Sequence, residues 1–352
     1  MSQHERMNWI DASKGLAILM VVCLHATEVF QYRLSPVNQA FAWWVLNAVN
    51  TACRVGIPLL FMFTGAATLG FPERSMIDRG YFQRICQVLV PLVVWALMYL
   101  MVARFSVRRI PTVDDVTGIV SGRAHYHLWF LYALTGLAIV FPILNVYVCA
   151  TGERGARRLG ALVLMTLGIS WTAEQMFQFR IEPNFSRGLP IYTGYFVLGY
   201  ALRNYPMTRW SNFTAAVIYL AGLVACALLV RTVNDRANQF DGRFGDYINP
   251  LIMAMSVAAF LLLRPSSSVP CDKSPNRASK VLTSLGQASL GIYVSHVLFL
   301  DLAVRLGHKE NRLGLRMLPV IAVVPILTIL VTAISWGFTV LIQKVPVIRR
   351  VV

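Results

Sequence analysis

Charge is scarce in these 352 residues: Asp, Glu, Lys and Arg make up 14% of the chain against 57% hydrophobic residues, and the mean hydropathy is +0.59. That excludes an ordinary soluble globule, in which roughly a quarter of residues are charged. The bilayer is the expected solvent. The apolar runs also lack the period-two alternation of an outer-membrane barrel; each is about 20 residues long, the length of a spanning helix. No CxxC pair and no cysteine-histidine metal spacing occurs among Cys23, Cys53, Cys86, Cys149, Cys226 and Cys271. Free thiols used as apolar filler are therefore expected, with no metal site and no disulfide. GxSxG, P-loop, HExxH and dinucleotide-type glycine patterns are missing from any strand-to-helix context, which removes local support for hydrolase, nucleotide-driven and zinc chemistry.

What is present is an all-α, polytopic pattern of about ten spans, expected around a polar central cavity. They fall at 9–30, 44–70, 82–104, 126–148, 156–175, 188–203, 211–232, 247–264, 284–304 and 316–342. The polar stretches between them are too short for a soluble domain, so residues 1–352 are expected to form one membrane domain. The first run contains Asp11, Lys14 and His25 and no small-residue cleavage site, so it is read as a span and not as a removable leader.

The formal charge of +16 is carried by basic residues in short loops, which points to membrane topology, anionic lipid and phosphate-bearing substrates, and away from nucleic acid. A small basic excess on one face places the N-terminus in the cytoplasm. The other face is nonetheless rich in arginine (Arg33, Arg54, Arg104, Arg108, Arg109, Arg123, Arg180 and Arg187). Some of these are expected to line an anion-binding cavity.

Lys14 and His25 are eleven residues apart, about 20° past three full helical turns and about 16 Å along the axis. They share a face but sit at opposite depths. Asp11, three residues before Lys14, is placed to pair with it. Ionisable groups inside a membrane face cavities or pathways by default, which favours function over a snorkelling topology charge and a satisfied histidine.

In the second span Arg54 lies at roughly the depth of His25 and wants an anion, while Pro58 and Gly65 are expected to shape the helix. The fourth span opens with His125, His127 and Trp129 at an interface where an aromatic belt also belongs. In the ninth, Ser289, Tyr293 and His296 fall at i, i+4 and i+7 on one face, putting a second intramembrane histidine near the first in depth. Arg74, Arg79 and Arg84 lie between spans two and three, where positive-inside charge is the ordinary reading.

Four stretches together resemble the acyltransferase-3 family of membrane acyltransferases: D-x-x-K-G at Asp11 to Gly15 with a histidine eleven residues after the lysine, R-V-x-x-P-L-x-F-M-x-x-G at Arg54 to Gly65, Y-H-L-W-F at Tyr126 to Phe130, and S-L-G-I-Y-x-x-H at Ser289 to His296. Each is short; their order is specific, and it looks closest to the enterobacterial-common-antigen O-acetyltransferase type. The resemblance implies a multi-pass bacterial inner-membrane enzyme with no permanently bound cofactor. It implies transfer of an acyl group, usually acetyl from acetyl-CoA, to a hydroxyl of a surface glycan or lipid-linked precursor. The family's basic-residue-then-histidine pair falls on Lys14 and His25. Many members carry R-x-x-R before span three, whereas Arg79 and Arg84 are spaced wider here.

These observations lead to one expectation for mechanism: His25 as general base, or as carrier of a transient acyl group; Asp11 and Lys14 beside it on the stripe; Lys14, Arg79 and Arg84 on the donor phosphates; Arg54, His127, Trp129, Tyr293 and His296 on the acceptor or the oxyanion. The competing class is a transporter or flippase for an anionic or glycolipid substrate, against which stands the lack of an inverted repeat. A structural or sensory subunit is the third.

Overall fold

The computed structural model describes residues 3–31, 34, 40–106, 112–120, 125–177, 189–237, 243–265, 276–309, 319–346 and 349–352. Arg33, Arg108, Arg109, Arg123, Arg180, Arg187 and Cys271 lie outside the described residues. The described chain is helical throughout, without a strand: α1 (Gln3–Gln31), α2 (Ala40–Cys53), α3 (Gly56–Thr68), α4 (Arg79–Ser106), α5 (Val113–Val120), α6 (Trp129–Phe177), α7 (Leu189–Leu202), α8 (Arg209–Ala237), α9 (Pro250–Leu262), α10 (Arg277–Gln287), α11 (Ser289–Lys309) and α12 (Val320–Gln343).

Eight of the described helical stretches are long and apolar enough to cross a membrane. One of these, α6, runs 49 residues, which at about 1.5 Å per residue is more than twice the hydrocarbon thickness. It is two helices: Gly152 interrupts it at φ 65°, ψ −162°, a conformation glycine tolerates best. Phe141 before the break and Gly160 after it meet neighbouring residues of α7, Phe196 and Leu198, so the chain reverses at Gly152. With the fourteen apolar residues of α7 as a shorter tenth element, the arrangement matches the expected all-α, polytopic fold.

The sorting of side chains is that of a protein solvated by lipid. Val93, Val94 and Leu97 of α4, Ile139 and Ile143 of α6, Leu220 and Val224 of α8, and Ile329 and Leu341 of α12 point outward. Hydrophobic burial therefore cannot decide which helices touch, and close backbone approach does much of it. A Cβ on Gly15 would lie 2.0 Å from the Leu282 carbonyl oxygen, and one on Gly286 would lie 1.8 Å from that of Asp11, so α1 and α10 meet backbone to backbone. Gly65 and Gly199 do the same for α3 and α7, against Phe196 and Met62. The Gly199→Val variant should lose about 1–3 kcal/mol by overpacking, read as earlier thermal aggregation of detergent-solubilised protein. A melting profile equal to that of the parent chain would show the helices free to part.

Helix α1 is the hub, touching α2, α3, α10, α11 and α12. Its Asp11 end lies near the end of α3, where Trp9 packs on Phe63 and Phe260 and Arg203 donates to the carbonyls of Ala66 and Leu69. Its His25 end lies at the α2–α3 junction and the turn preceding α6. The two stations on the first helix thus open toward opposite ends of the bundle.

Candidate active site

The break between α2 and α3 is written in the sequence. Pro58 has no amide hydrogen to give to the carbonyl four residues back, which is that of Arg54, and the chain turns at Arg54 and Val55 before α3 begins. This leaves the Arg54 side chain facing the His25 half of α1. Its Nη2 donates to Glu28 Oε1 at 3.2 Å, its Nε to Asn50 Oδ1 at 3.0 Å and its Nη1 to the Gly245 carbonyl at 3.1 Å. A Cβ on Gly245 would come within 2.7 Å of that guanidinium, so the bare backbone there gives it room. Asn50 is itself held, donating to Thr27 Oγ1 at 2.9 Å.

Glu28 uses its second oxygen on His25, with Oε2 3.1 Å from Nδ1. The two residues are one turn apart on α1, so a single helix sets the geometry. A carboxylate can only accept, so Nδ1 carries the hydrogen and Nε2 presents a lone pair. The result is a chain Arg54–Glu28–His25 in which each group fixes the next. Glu28 was not among the residues singled out from sequence, although the same i, i+3 rule that linked Asp11 with Lys14 marks it.

Around His25 the structure gathers the histidines placed at this depth by pattern. His296 is fully buried, its ring 5.2 Å from that of His25 between centroids. Its Nδ1 sits 2.6 Å from the Tyr293 carbonyl and 3.2 Å from that of Ile292, both acceptors, so its hydrogen is also on Nδ1. Its Nε2 is buried with no hydrogen-bond partner. His127 lies 5.6 Å from His296, and its Nε2 is likewise buried and unpartnered. Tyr293 donates its hydroxyl to the His127 carbonyl and Tyr99 donates to that of Val294, tying the turn before α6 and α4 to α11. Trp129 faces Tyr192 and Tyr247, half-buried beside this cluster.

At the other end, Lys14 is half-buried, one turn along α1 from Asp11. The two do not form a contact ion pair: the Asp11 carboxylate accepts from Gln287 at 3.4 Å, and the Lys14 ammonium has no hydrogen-bond partner among the described residues. Arg84 donates to the Arg74 carbonyl at 3.2 Å and stacks on Phe141, while Arg79 is exposed at the start of α4.

The described residues hold no cluster of three His, Cys, Asp or Glu suited to a metal. The chain matches the model of the acyltransferase domain of this name over residues 7–340, nearly its whole length. It belongs to the acyltransferase-3 family. No curated protein and no solved structure matched. The family supports acyl transfer by a membrane-embedded enzyme as the class of chemistry.

Proposed function

We propose that this acyltransferase moves an acetyl group from acetyl-CoA to a hydroxyl of a surface glycan or its lipid-linked precursor, with His25 as general base. The observation that carries the reading is the Arg54–Glu28–His25 chain, which holds one imidazole with its lone pair free in an interior where a charged triad is costly to assemble without use. The acceptor oxygen attacks the thioester carbonyl carbon as its proton passes to His25 Nε2. The C–S bond then breaks, and coenzyme A leaves as a thiolate that is protonated from water on the donor side. Arg54 acts through Glu28, all three of its nitrogens being engaged. His127, His296, Tyr293 and Trp129 border the acceptor.

Lys14 is the donor-side cation in this reading. An ammonium without a hydrogen-bond partner, on the His25 face but about 16 Å away, suits a phosphate of coenzyme A whose long pantetheine arm reaches the reaction centre. Arg79 and Arg84 would add charge at the same mouth. The family pattern and the basic balance support a bacterial inner membrane with the Asp11 end in the cytoplasm. The ordered motifs favour the enterobacterial-common-antigen type of acceptor.

Lys14→Gln should raise KM for acetyl-CoA about tenfold while leaving kcat nearly unchanged, since a charge-assisted contact made equally in ground and transition states is lost. Equal KM values for the two proteins would remove Lys14 from the donor site. For the function itself, surface polysaccharide from cells with and without the gene should differ in O-acetyl content, and purified protein should transfer label from acetyl-CoA. Transfer of succinyl or another acyl group in place of acetyl would redefine the donor, and no transfer from any acyl-CoA would end the proposal.

A further inference from the structure

General-base catalysis leaves the acceptor's proton on His25, and the surroundings offer it one titratable route. Toward the Asp11 end, the α1 face between His25 and Lys14 carries Ile18 and Val21, both fully buried, and the facing part of α3 is Ile57 to Phe63, apolar throughout. Among the described residues, neither of these two faces carries a titratable group between Lys14 and His25. Toward the other end, four imidazoles follow one another: His25 to His296 at 5.2 Å between ring centroids, His296 to His127 at 5.6 Å, and His127 to His125 at 4.8 Å.

Resting on the general-base reading of His25, we propose that these four histidines are a proton relay that carries the acceptor's proton from His25 through His296 and His127 to His125 at the far face of the membrane.

The placement of hydrogens fits the direction. His25 and His296 both hold a hydrogen on Nδ1 against fixed acceptors, so each takes up a proton at Nε2 and returns it from the same atom. The relay requires one bridging water for each transfer across the ring separations of 5–6 Å. The unpartnered Nε2 of His296 and of His127 are the atoms a passing proton needs. His127 Nδ1 and His125 Nδ1 stand 2.8 Å apart, so one hydrogen lies between them. A proton arriving at His127 Nε2 pushes that hydrogen on to His125, and His125 Nε2 releases one to water. His125 is only part-buried and its neighbour Tyr126 is 59% exposed. Burial, and then the charge of His25, hold the His125 imidazole below its ordinary range, so it gives the proton up readily near neutral pH.

Among the described residues, the charged and titratable groups facing the chain are Glu28 and Arg54 at His25, and Tyr99, Tyr126 and Tyr293 around the other three, with Asp301 beyond Tyr99. Glu28 is the one carboxylate in contact among the described residues, and it faces Nδ1 of His25, away from the exit. The balance closes: one proton leaves the acceptor hydroxyl for water at the His125 face, and one is taken from water at the Asp11 face by the coenzyme A thiolate. Each ester formed thus moves one proton equivalent between the two faces.

The test uses purified full-length protein in vesicles, with acetyl-CoA on one side and a soluble sugar acceptor on the other. His125→Ala should turn over about tenfold more slowly in dilute buffer, with KM for acetyl-CoA unchanged, and millimolar imidazole on the acceptor side should restore most of the rate. A purely structural loss would not respond to imidazole. Parent-like turnover of His125→Ala, or a loss that imidazole leaves in place, overturns the relay. If His125→Ala fails to fold, the parent protein decides: a pH-sensitive dye on the acceptor side should report one proton released per ester formed, and transfer without acidification overturns the proposal. Both results are distinct from failure of the acyltransfer reading, in which the parent forms no ester.

Discussion

His25→Ala is expected to insert and fold like the parent chain and to lower kcat for acetyl transfer by about 10²–10⁴, the range that one positioned general base contributes. KM for acetyl-CoA should change little, because the donor's charged part is held about 16 Å away in this account. The side chain is part-buried and its single hydrogen bond is to Glu28, so its removal leaves a carboxylate still held by Arg54 and costs little stability. A measured rate equal to that of the parent, at normal membrane abundance, would remove His25 from the chemistry.

Glu28→Gln should be almost as damaging to rate. The amide keeps the volume of the carboxylate but offers an N–H as well as an oxygen, so it no longer forces the hydrogen of His25 onto Nδ1, and it removes the charge that stabilises the imidazolium formed during attack. A fall of about 10²–10³ in kcat follows, smaller than the about 10⁴ that loss of a triad carboxylate costs in serine proteases. Stability should suffer more than in His25→Ala, because the Arg54 guanidinium loses its ion pair with Glu28 while its bonds to Asn50 and Gly245 remain. An uncompensated cation in a low-dielectric interior costs several kcal/mol after relaxation. Adding Arg54→Gln to Glu28→Gln should therefore recover stability without recovering rate; recovery of both would show that the rate was lost to the uncompensated cation and that neither residue is needed for catalysis.

Much of this arrangement is legible in the residue pattern because membrane helices write themselves in long apolar runs and because depth along a helix is simple arithmetic. The shared depth of His25, Arg54, His127 and His296 follows from counting residues along four spans, and Pro58 foretells the turn that frees Arg54. What the pattern does not reveal is partnership. Arg54 reads as an unclaimed cation at that depth, and only the packing of α2 against α1 shows its charge committed to Glu28. Gly245 carries no local signal at all, since its role is to make room for a guanidinium from a distant helix. Asp11 and Lys14 illustrate the opposite limit: i, i+3 spacing allows a pair, but Gln287, arriving from α10, takes the carboxylate. The helix carrying Gln287 begins at Arg277, seven residues before the ninth apolar run, because its eleven residues are too few and too polar to register as a span.

The most direct test of the account is a double-variant cycle on His25 and Glu28, read as the rate of acetyl transfer in vesicles under saturating acetyl-CoA. If Glu28 works only by setting the hydrogen and charge of His25, the pair His25→Ala with Glu28→Gln should be no slower than His25→Ala alone, as for residues that act as one unit. Independent effects that multiply in the double variant would contradict it.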